Sequence, residues 1–122
     1  MTVAARHAAE RRGHRAETLC CHLLRLKGYR VLERRLRTPM GEIDILARRG
    51  VLLAIVEVKA RPSHAQAAES VSPRQRHRLG RAARWVLASR PALSALSLRY
   101  DLMLVAPWRL PVHLPGAWTE DG

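Results

Sequence analysis

The sequence predicts an α/β domain: a mixed β-sheet of four to five strands flanked by helices, in the order helix, three strands, helix, strand and a weak last strand. Three observations carry this. Stretches 4–27 and 73–89 repeat apolar residues every three or four positions, the period of a helix with one buried face. Runs rich in branched residues lie between and after them, punctuated by Gly and Pro. One of those runs, Val51 to Val58, is apolar almost throughout, as a strand covered on both faces must be. At 122 residues a single domain spanning 1–122 is expected, with 1–12 frayed and 107–122 an extended tail.

Each element has its own signal. From Ala4 to Lys27 the stripe is Ala16, Leu19, Cys20, Leu23, Leu24 and Leu26, and Gly28 supplies a left-handed stop. Tyr29 to Arg35 reads as a strand, Thr38-Pro39-Met40-Gly41 breaks it, and Gly41 to Ala47 forms the next. Arg48-Arg49-Gly50 is the turn into the central strand. Arg61 to Ser70 reads as a mobile loop. Ser72 then caps a helix with Pro73 at its first position, running to Ser89 with Leu79, Ala82, Ala83, Val86 and Leu87 inward. Arg74, Arg76, Arg78, Arg81 and Arg84 are expected on its outer side. Ser97 to Ala106 is a strand, and Pro107, Pro111 and Pro115 restrict the remainder to extended or edge structure.

Charge narrows the function classes. Lys plus Arg number 22 against 10 acids, a formal +12, which favours a polyanionic partner that releases counterions on binding. All but Lys27 and Lys59 of these cations are Arg, a residue that grips phosphate bidentately and never yields its proton. A lysine is therefore a rare choice in this chain. No apolar run is long enough to span a membrane and the N-terminal stretch has no apolar leader, so a cytoplasmic protein without stable membrane insertion is expected. Cys20 and Cys21 are chain neighbours, suited to helix packing in a reducing compartment and not to an ordinary disulfide or a zinc site. Three Trp, two Tyr and no Phe leave little for stacking along a single strand, so duplex or branched DNA is the better partner. No small-molecule cofactor is expected.

Two acids interrupt apolar strands: Asp44 within Ile43-Asp44-Ile45-Leu46, and Glu57 within Ile55-Val56-Glu57-Val58-Lys59. A buried carboxylate needs a cation or a metal. Glu57 and Lys59, two apart on a strand, point to one face. With Arg49-Gly50 as a two-residue turn, Arg48 pairs with Val51, Asp44 lies opposite Ile55 and Glu42 opposite Glu57, which makes Asp44 the diagonal neighbour of Glu57. Two carboxylates so placed suit Mg²⁺ or Mn²⁺, and a lysine beside them suits phosphodiester hydrolysis. Glu42 is either a further ligand or an ion-pair partner of Arg35 or Arg37, the ion pair being favoured. Asp101 interrupts Leu98 to Val105 in the same way and is read as structural, paired with Arg99 or capping a buried backbone group.

Asp44, a twelve-residue spacer and Glu57-Val58-Lys59 resemble the Asp…(Glu/Asp)-x-Lys core of the restriction-endonuclease-like (PD-(D/E)XK) nucleases. Gly41-Glu42-Ile43-Asp44-Ile45, Val56-Glu57-Val58-Lys59-x-Arg61, Ala68-Glu69-Ser70-Val71-Ser72-Pro73 and Arg99-Tyr100-Asp101 look like the successive motifs of the YraN family of small bacterial proteins. Gly13 to Glu17 and Ala117-Trp118 resemble its ends. The resemblance implies a restriction-endonuclease-like fold in which Asp44, Glu57 and Lys59 are catalytic. It further implies that Glu17 joins Asp44 and Glu57 as a metal ligand, as in Holliday-junction-resolvase-like nucleases, and that the partner is branched DNA held by a homodimer. DNA contact is expected at Arg61, Arg74, Gln75, Arg76 and Arg78. Gln75 stands where relatives tend to carry Lys, which passes the gripping role to Arg74, Arg76 or Arg78. Two alternatives keep the same fold: a DNA-binding module without turnover, and an accessory subunit of a DNA-processing or membrane-associated complex.

Overall fold

A computed structural model of the chain describes residues 2–60 and 70–120, apart from the side chains of residues 9, 10 and 12. Eight elements follow the expected order: α1 (Val3–Leu26), β1 (Arg30–Thr38), β2 (Gly41–Arg49), β3 (Leu52–Ala60), α2 (Pro73–Ser89), a 3₁₀ turn (Pro91–Leu93), β4 (Ser97–Val105) and β5 (Val112–Trp118). The strands form one sheet in the order β1-β2-β3-β4-β5, antiparallel except for the parallel pair β3/β4. Among the described residues no helix is long and apolar enough to cross a membrane.

Helix ends are set by local chemistry. The Thr2 hydroxyl accepts the Ala5 N–H to start α1. At the other end Gly28, at φ +91°, lets the Gly28 and Tyr29 N–H groups donate to the carbonyls of Arg25 and Leu24, a Schellman closure. In α2 the Ser72 hydroxyl accepts the Gln75 N–H while the Gln75 side chain accepts the Ser72 N–H, a complete capping box.

The sheet is covered on both faces. Leu53 and Ile55 of β3 join the core that contains Leu79, Ala83 and Val86 of α2, whereas Ala54 and Val56 join the one that contains Cys20, Cys21 and Leu24 of α1. This alternation between two cores is why Val51 to Val58 carries so few polar residues. The apolar stripe of α1 differs from expectation: Cys21 is buried in place of Leu19 and Leu26, which are 47% and 86% exposed. The buried face runs through Ala16, Glu17, Cys20, Cys21 and Leu24, so the same stripe that packs the helix carries an acid. Burial, followed by its neighbour Cys21, pushes the Cys20 thiol up to about 12, which keeps it an inert packing group.

The β2/β3 hairpin corrects the expected register. Arg49 pairs with Leu52 and Leu46 with Ile55, so the turn residues are Gly50 and Val51. Gly50, at φ +61°, takes the first turn position, where a left-handed residue is needed, and Val51 takes the second without positive φ. The slip is two residues. It preserves which face each side chain takes and moves Asp44 from a diagonal position to the one directly facing Glu57 if the ladder is continued past its last pair, Ile45 with Val56.

At the opposite edge, β5 is held to β4 by a buried polar network. Asp101 is fully buried and receives both Arg99 nitrogens at 2.7 Å, His113 Nε2 at 2.8 Å and the Gly116 N–H at 3.0 Å. Arg99 also donates to the Tyr29 hydroxyl, and Arg49 lies 4.4 Å from the centre of the Tyr29 ring. Asp101 thus does both things expected of it, pairing with Arg99 and capping a backbone group. Burial opposes its ionisation, yet hydrogen bonds from Arg99, His113 and Gly116 hold its carboxyl below the usual value of 3.8.

Two outcomes follow from this network. Asp101→Ala strands Arg99 without its counter-charge and His113 without its hydrogen-bond partner, and is expected to cost about 3–5 kcal/mol in urea unfolding at neutral pH. The depressed carboxyl stabilises the wild-type fold above its ordinary pKa of 3.8, and that contribution is lost as pH falls through the lower folded value. An Asp101→Ala chain whose urea midpoint matched wild type would contradict the account.

Candidate metal centre

The site forms where β2 and β3 part. Ile43 and Leu46 lie in the same core although three positions separate them, and Ile45 lies in the other, so β2 turns over beside Asp44. Past this point the two backbones no longer pair, and the Asp44 side chain fills the fork: its Oδ2 accepts the Val58 N–H at 2.8 Å, standing in for a backbone carbonyl. Facing Asp44 across β1/β2, Arg35 adopts φ +49°, one of two positive-φ positions outside glycine among the described residues.

Glu17, Glu42 and Asp44 each bring a carboxylate oxygen within 4.8 Å of the other two. Glu17 comes from α1 and is only 8% exposed. Arg35 Nε approaches its Oε1 at 3.4 Å and Arg34 Nη2 at 3.9 Å, but no hydrogen bond reaches that buried oxygen. Glu57, 6% exposed, lies beyond this cluster on β3; Lys59 Nζ sits 3.4 Å from its Oε1, while its Oε2 is buried without a hydrogen-bond donor. Asp44 is the group common to both sides: its charge acts on Glu17 and on Glu57.

The electrostatics agree with the geometry. Burial, then the charge of Asp44, pushes both Glu17 and Glu57 up to about 7; Arg35 and Arg34 oppose this at Glu17, and Lys59 and Arg78 at Glu57. Asp44 is raised by burial and by Glu42, against the Val58 hydrogen bond and the Lys59 and Arg78 charges. Three carboxylates within 4.8 Å, one of them with an orphaned, buried oxygen, are a donor set that suits a hard divalent cation such as Mg²⁺ or Mn²⁺, and Glu57 brings a second such oxygen on the β3 side of Asp44. The ion pair favoured for Glu42 does not form: among the described residues none joins it to Arg35 or Arg37, although Arg37 pairs across from it in the ladder, and its carboxylate lies with those of Glu17 and Asp44.

The expected DNA-contacting residues separate into distinct roles. Arg74 is exposed at the start of α2. Gln75 is engaged in the capping box. Arg76 donates to the Val71 carbonyl at 3.0 Å and lies over the Trp118 ring, and Arg78 turns inward to donate to the Glu42 carbonyl at 3.1 Å. Arg84 pairs with Glu120 at 2.9 Å. The outer face of α2 therefore keeps Arg74, Arg81 and Arg84 as its exposed arginines, with Arg84 paired to Glu120, while Arg76 and Arg78 are half-buried, a correction to the five expected there. The cause is that Arg76 and Arg78 find carbonyls within reach of their long stems. Arg61 lies outside the described residues. Gly41 explains part of the Gly-Glu-Ile-Asp motif: at φ +124° it has no Cβ where the Arg78 guanidinium passes. Arg34, Arg35 and the inward turn of Arg78 were not legible as site features, because in a chain with 20 arginines no single one stands out.

Comparison with known proteins agrees on one family. The sequence model of the uncharacterised protein family UPF0102 matches residues 16–105, which include every acid of the site. A UPF0102 protein of Parvibaculum lavamentivorans is 57% identical over 111 residues, covering 91% of this chain and 84% of that one. A UPF0102 protein of Paramagnetospirillum magneticum is 51% identical over 121 residues, covering 96% and 94%. A third, from Chelativorans sp., is 54% identical over 115 residues, covering 94% and 93%.

The raised carboxyls give a stability signature with an unusual sign. A group whose pKa is higher folded than unfolded binds protons preferentially in the folded state, so the metal-free chain loses stability as pH rises from 4.5 to about 7. Glu57→Gln, which keeps the shape and removes the charge, is expected to raise the thermal midpoint at pH 8 by roughly 5 °C and to leave it unchanged near pH 4.5. Mn²⁺ is expected to stabilise wild type more at pH 8 than at pH 5 and to stabilise this variant less. Calorimetry with and without Mn²⁺ checks both; a midpoint lowered by the substitution at pH 8 would refute the assignment.

Proposed function

The chain belongs to the uncharacterised protein family UPF0102, and we propose, from the geometry of its own site, that it is a metal-dependent endonuclease hydrolysing phosphodiester bonds in structured or branched DNA. The observation that carries this is the convergence of Glu17, Glu42 and Asp44 within 4.8 Å, with Glu57 and its Lys59 partner on the other side of Asp44. Like charges at that spacing in a partly dry site repel by about 3 kcal/mol; Arg34, Arg35, Lys59 and Arg78 offset this only in part, since Glu17 and Glu57 stay raised, and a bound cation would relieve the rest.

Glu17, Asp44 and Glu57, with Glu42 as a further acid, would hold Mg²⁺ or Mn²⁺. When bound, such an ion polarises a phosphoryl oxygen, lowers the pKa of water and offsets charge gathering on phosphorus. The remaining work falls to side chains of the chain itself. Asp44 is fixed by the Val58 N–H, which leaves its Oδ1 outside that bond. Glu57 holds the Lys59 ammonium at 3.4 Å, where it can donate to the attacking water or to a non-bridging oxygen as the new P–O bond forms and the old one breaks. Arg78, anchored on the Glu42 carbonyl, adds a fixed positive charge beside the acids. The overall +12 draws the DNA backbone to the surface without reading its sequence.

A second reading has one specific support. The approach of Arg35 to Glu17 at 3.4 Å already relieves part of the acid charge, as a binding module without turnover would need. Incubation with labelled four-way junctions separates the two. Under the nuclease reading, products form with Mg²⁺ or Mn²⁺ and not in EDTA; Asp44→Ala and Glu57→Ala remove cleavage while gel-shift affinity stays within about threefold, and Lys59→Met lowers the rate by roughly 10²–10⁴. Shifted but intact junctions under all metal conditions would establish the binding module instead.

A further inference from the structure

An open groove of about 710 Å³ runs between α1 and the turn that links β4 to β5. Ala16 and Ala60 line it, so the groove lies against the turn of α1 that also carries Glu17 and against the end of β3 that follows Lys59. Its apolar wall is made by Leu19, Trp108 and Leu110, which are 47%, 103% and 84% exposed. Arg15 and Arg109 stand exposed along it, and none of the described residues that line it is an acid.

Trp108 is the anomaly. It sits at φ +63° directly after Pro107, the position of a turn that glycine ordinarily fills, and a bulky residue there is strained by the order of 1 kcal/mol. An indole held in that conformation and left fully in water gains nothing from the fold itself. It lies beyond Val105, where the family match ends.

We propose that Trp108 is a stacking platform for one unpaired nucleobase, which places the strand carrying that base along Arg15 and Arg109 and its neighbouring phosphate at the acid cluster. This rests on the nuclease reading for the identity of the strand and deepens it: the substrate class is DNA with an unstacked base next to the cleaved bond, as at a branch point or fork, and not continuous duplex. The charge pattern selects this occupant. A flat aromatic flanked by two arginines complements a base and its phosphates. A second copy of the chain would bring the same two arginines and a further +12 against them. One exposed indole serves one base, consistent with a chain too poor in aromatics to track a long single strand.

The test uses the intact chain in EDTA, so that no cleavage intervenes, with a four-way junction and a blunt duplex of the same sequence. Trp108→Ala is expected to weaken junction binding about tenfold and duplex binding less than twofold, with Trp108→Phe recovering most of the loss. Junction binding is expected to quench wild-type tryptophan emission, and Trp108→Phe, which retains the half-buried Trp85 and the buried Trp118, to abolish that quenching. Equal loss on both DNAs, an unchanged junction affinity, or no binding to either DNA would overturn the platform. So would a drop in mass by light scattering in Trp108→Ala, which would make the groove an interface between copies. The two readings fail separately: a chain that binds and quenches but never cleaves refutes only the nuclease, and one that cleaves junctions equally well as Trp108→Ala refutes only the platform.

Discussion

The constraint on which the rest of the structure depends is the burial of like-charged carboxylates at the fork between β2 and β3. Paired strands have no room for Asp44, so the ladder ends at Ile45 and Val56 and the carboxylate takes over the Val58 N–H. That substitution saves a backbone donor from being orphaned, and it also brings a charge to the middle of the sheet. Glu17 arrives on the buried stripe of α1, in a place where an apolar side chain would pack with less cost. The surrounding cations follow from these acids. Arg34, Arg35, Lys59 and Arg78 all turn toward the fork, and even so the acids of Glu17 and Glu57 stay raised to about 7.

The opposite edge shows what complete compensation looks like. Asp101 is more buried than any acid at the fork, yet its carboxyl is lowered, because Arg99 grips both oxygens and His113 and the Gly116 N–H add to them. Two buried acid sites in one sheet therefore carry opposite pKa shifts. The network of Asp101 is closed and welds β5 onto β4, whereas the fork has oxygens of Glu17 and Glu57 with no donor. Burial alone does not distinguish the two sites; the count of satisfied oxygens does.

Most of the architecture was legible in the sequence because its signals are local. Ser72-Pro73 marks the start of α2, Gly28 the end of α1, and the apolar run of β3 its central place between two cores. Register was less legible, because it is decided by which residue takes the left-handed turn position: with Gly50 first and Val51 second, every pair moves by two, and the parity that puts Asp44 near Glu57 survives. The partnership of Glu42 with Glu17 and Asp44 was not legible, since it depends on β2 turning over beside Asp44. Nor were His113 as a partner of Asp101 and Tyr29 as a partner of Arg99, because they reach this network from other elements of the chain. The arginines of α2 misled for a similar reason: a helical wheel places them outward, but long stems let Arg76 and Arg78 fold back onto carbonyls.

That last point changes what the charge of the chain does. An evenly solvated coat of 20 arginines would bind duplex DNA tightly and without discrimination, with affinity falling steeply in salt. Here Arg34 and Arg35 face Glu17, Arg78 holds the Glu42 carbonyl, Arg84 and Arg90 pair with Glu120 and Glu33, and Arg99 is locked to Asp101. Much of the positive charge is thus spent within the fold, positioning acids and strands. The share left outward offers few rigid phosphate contacts, so under the proposed function any discrimination between nucleic acid shapes would have to come from features with fixed geometry. The fork between β2 and β3 and the apolar groove along α1 are two such features.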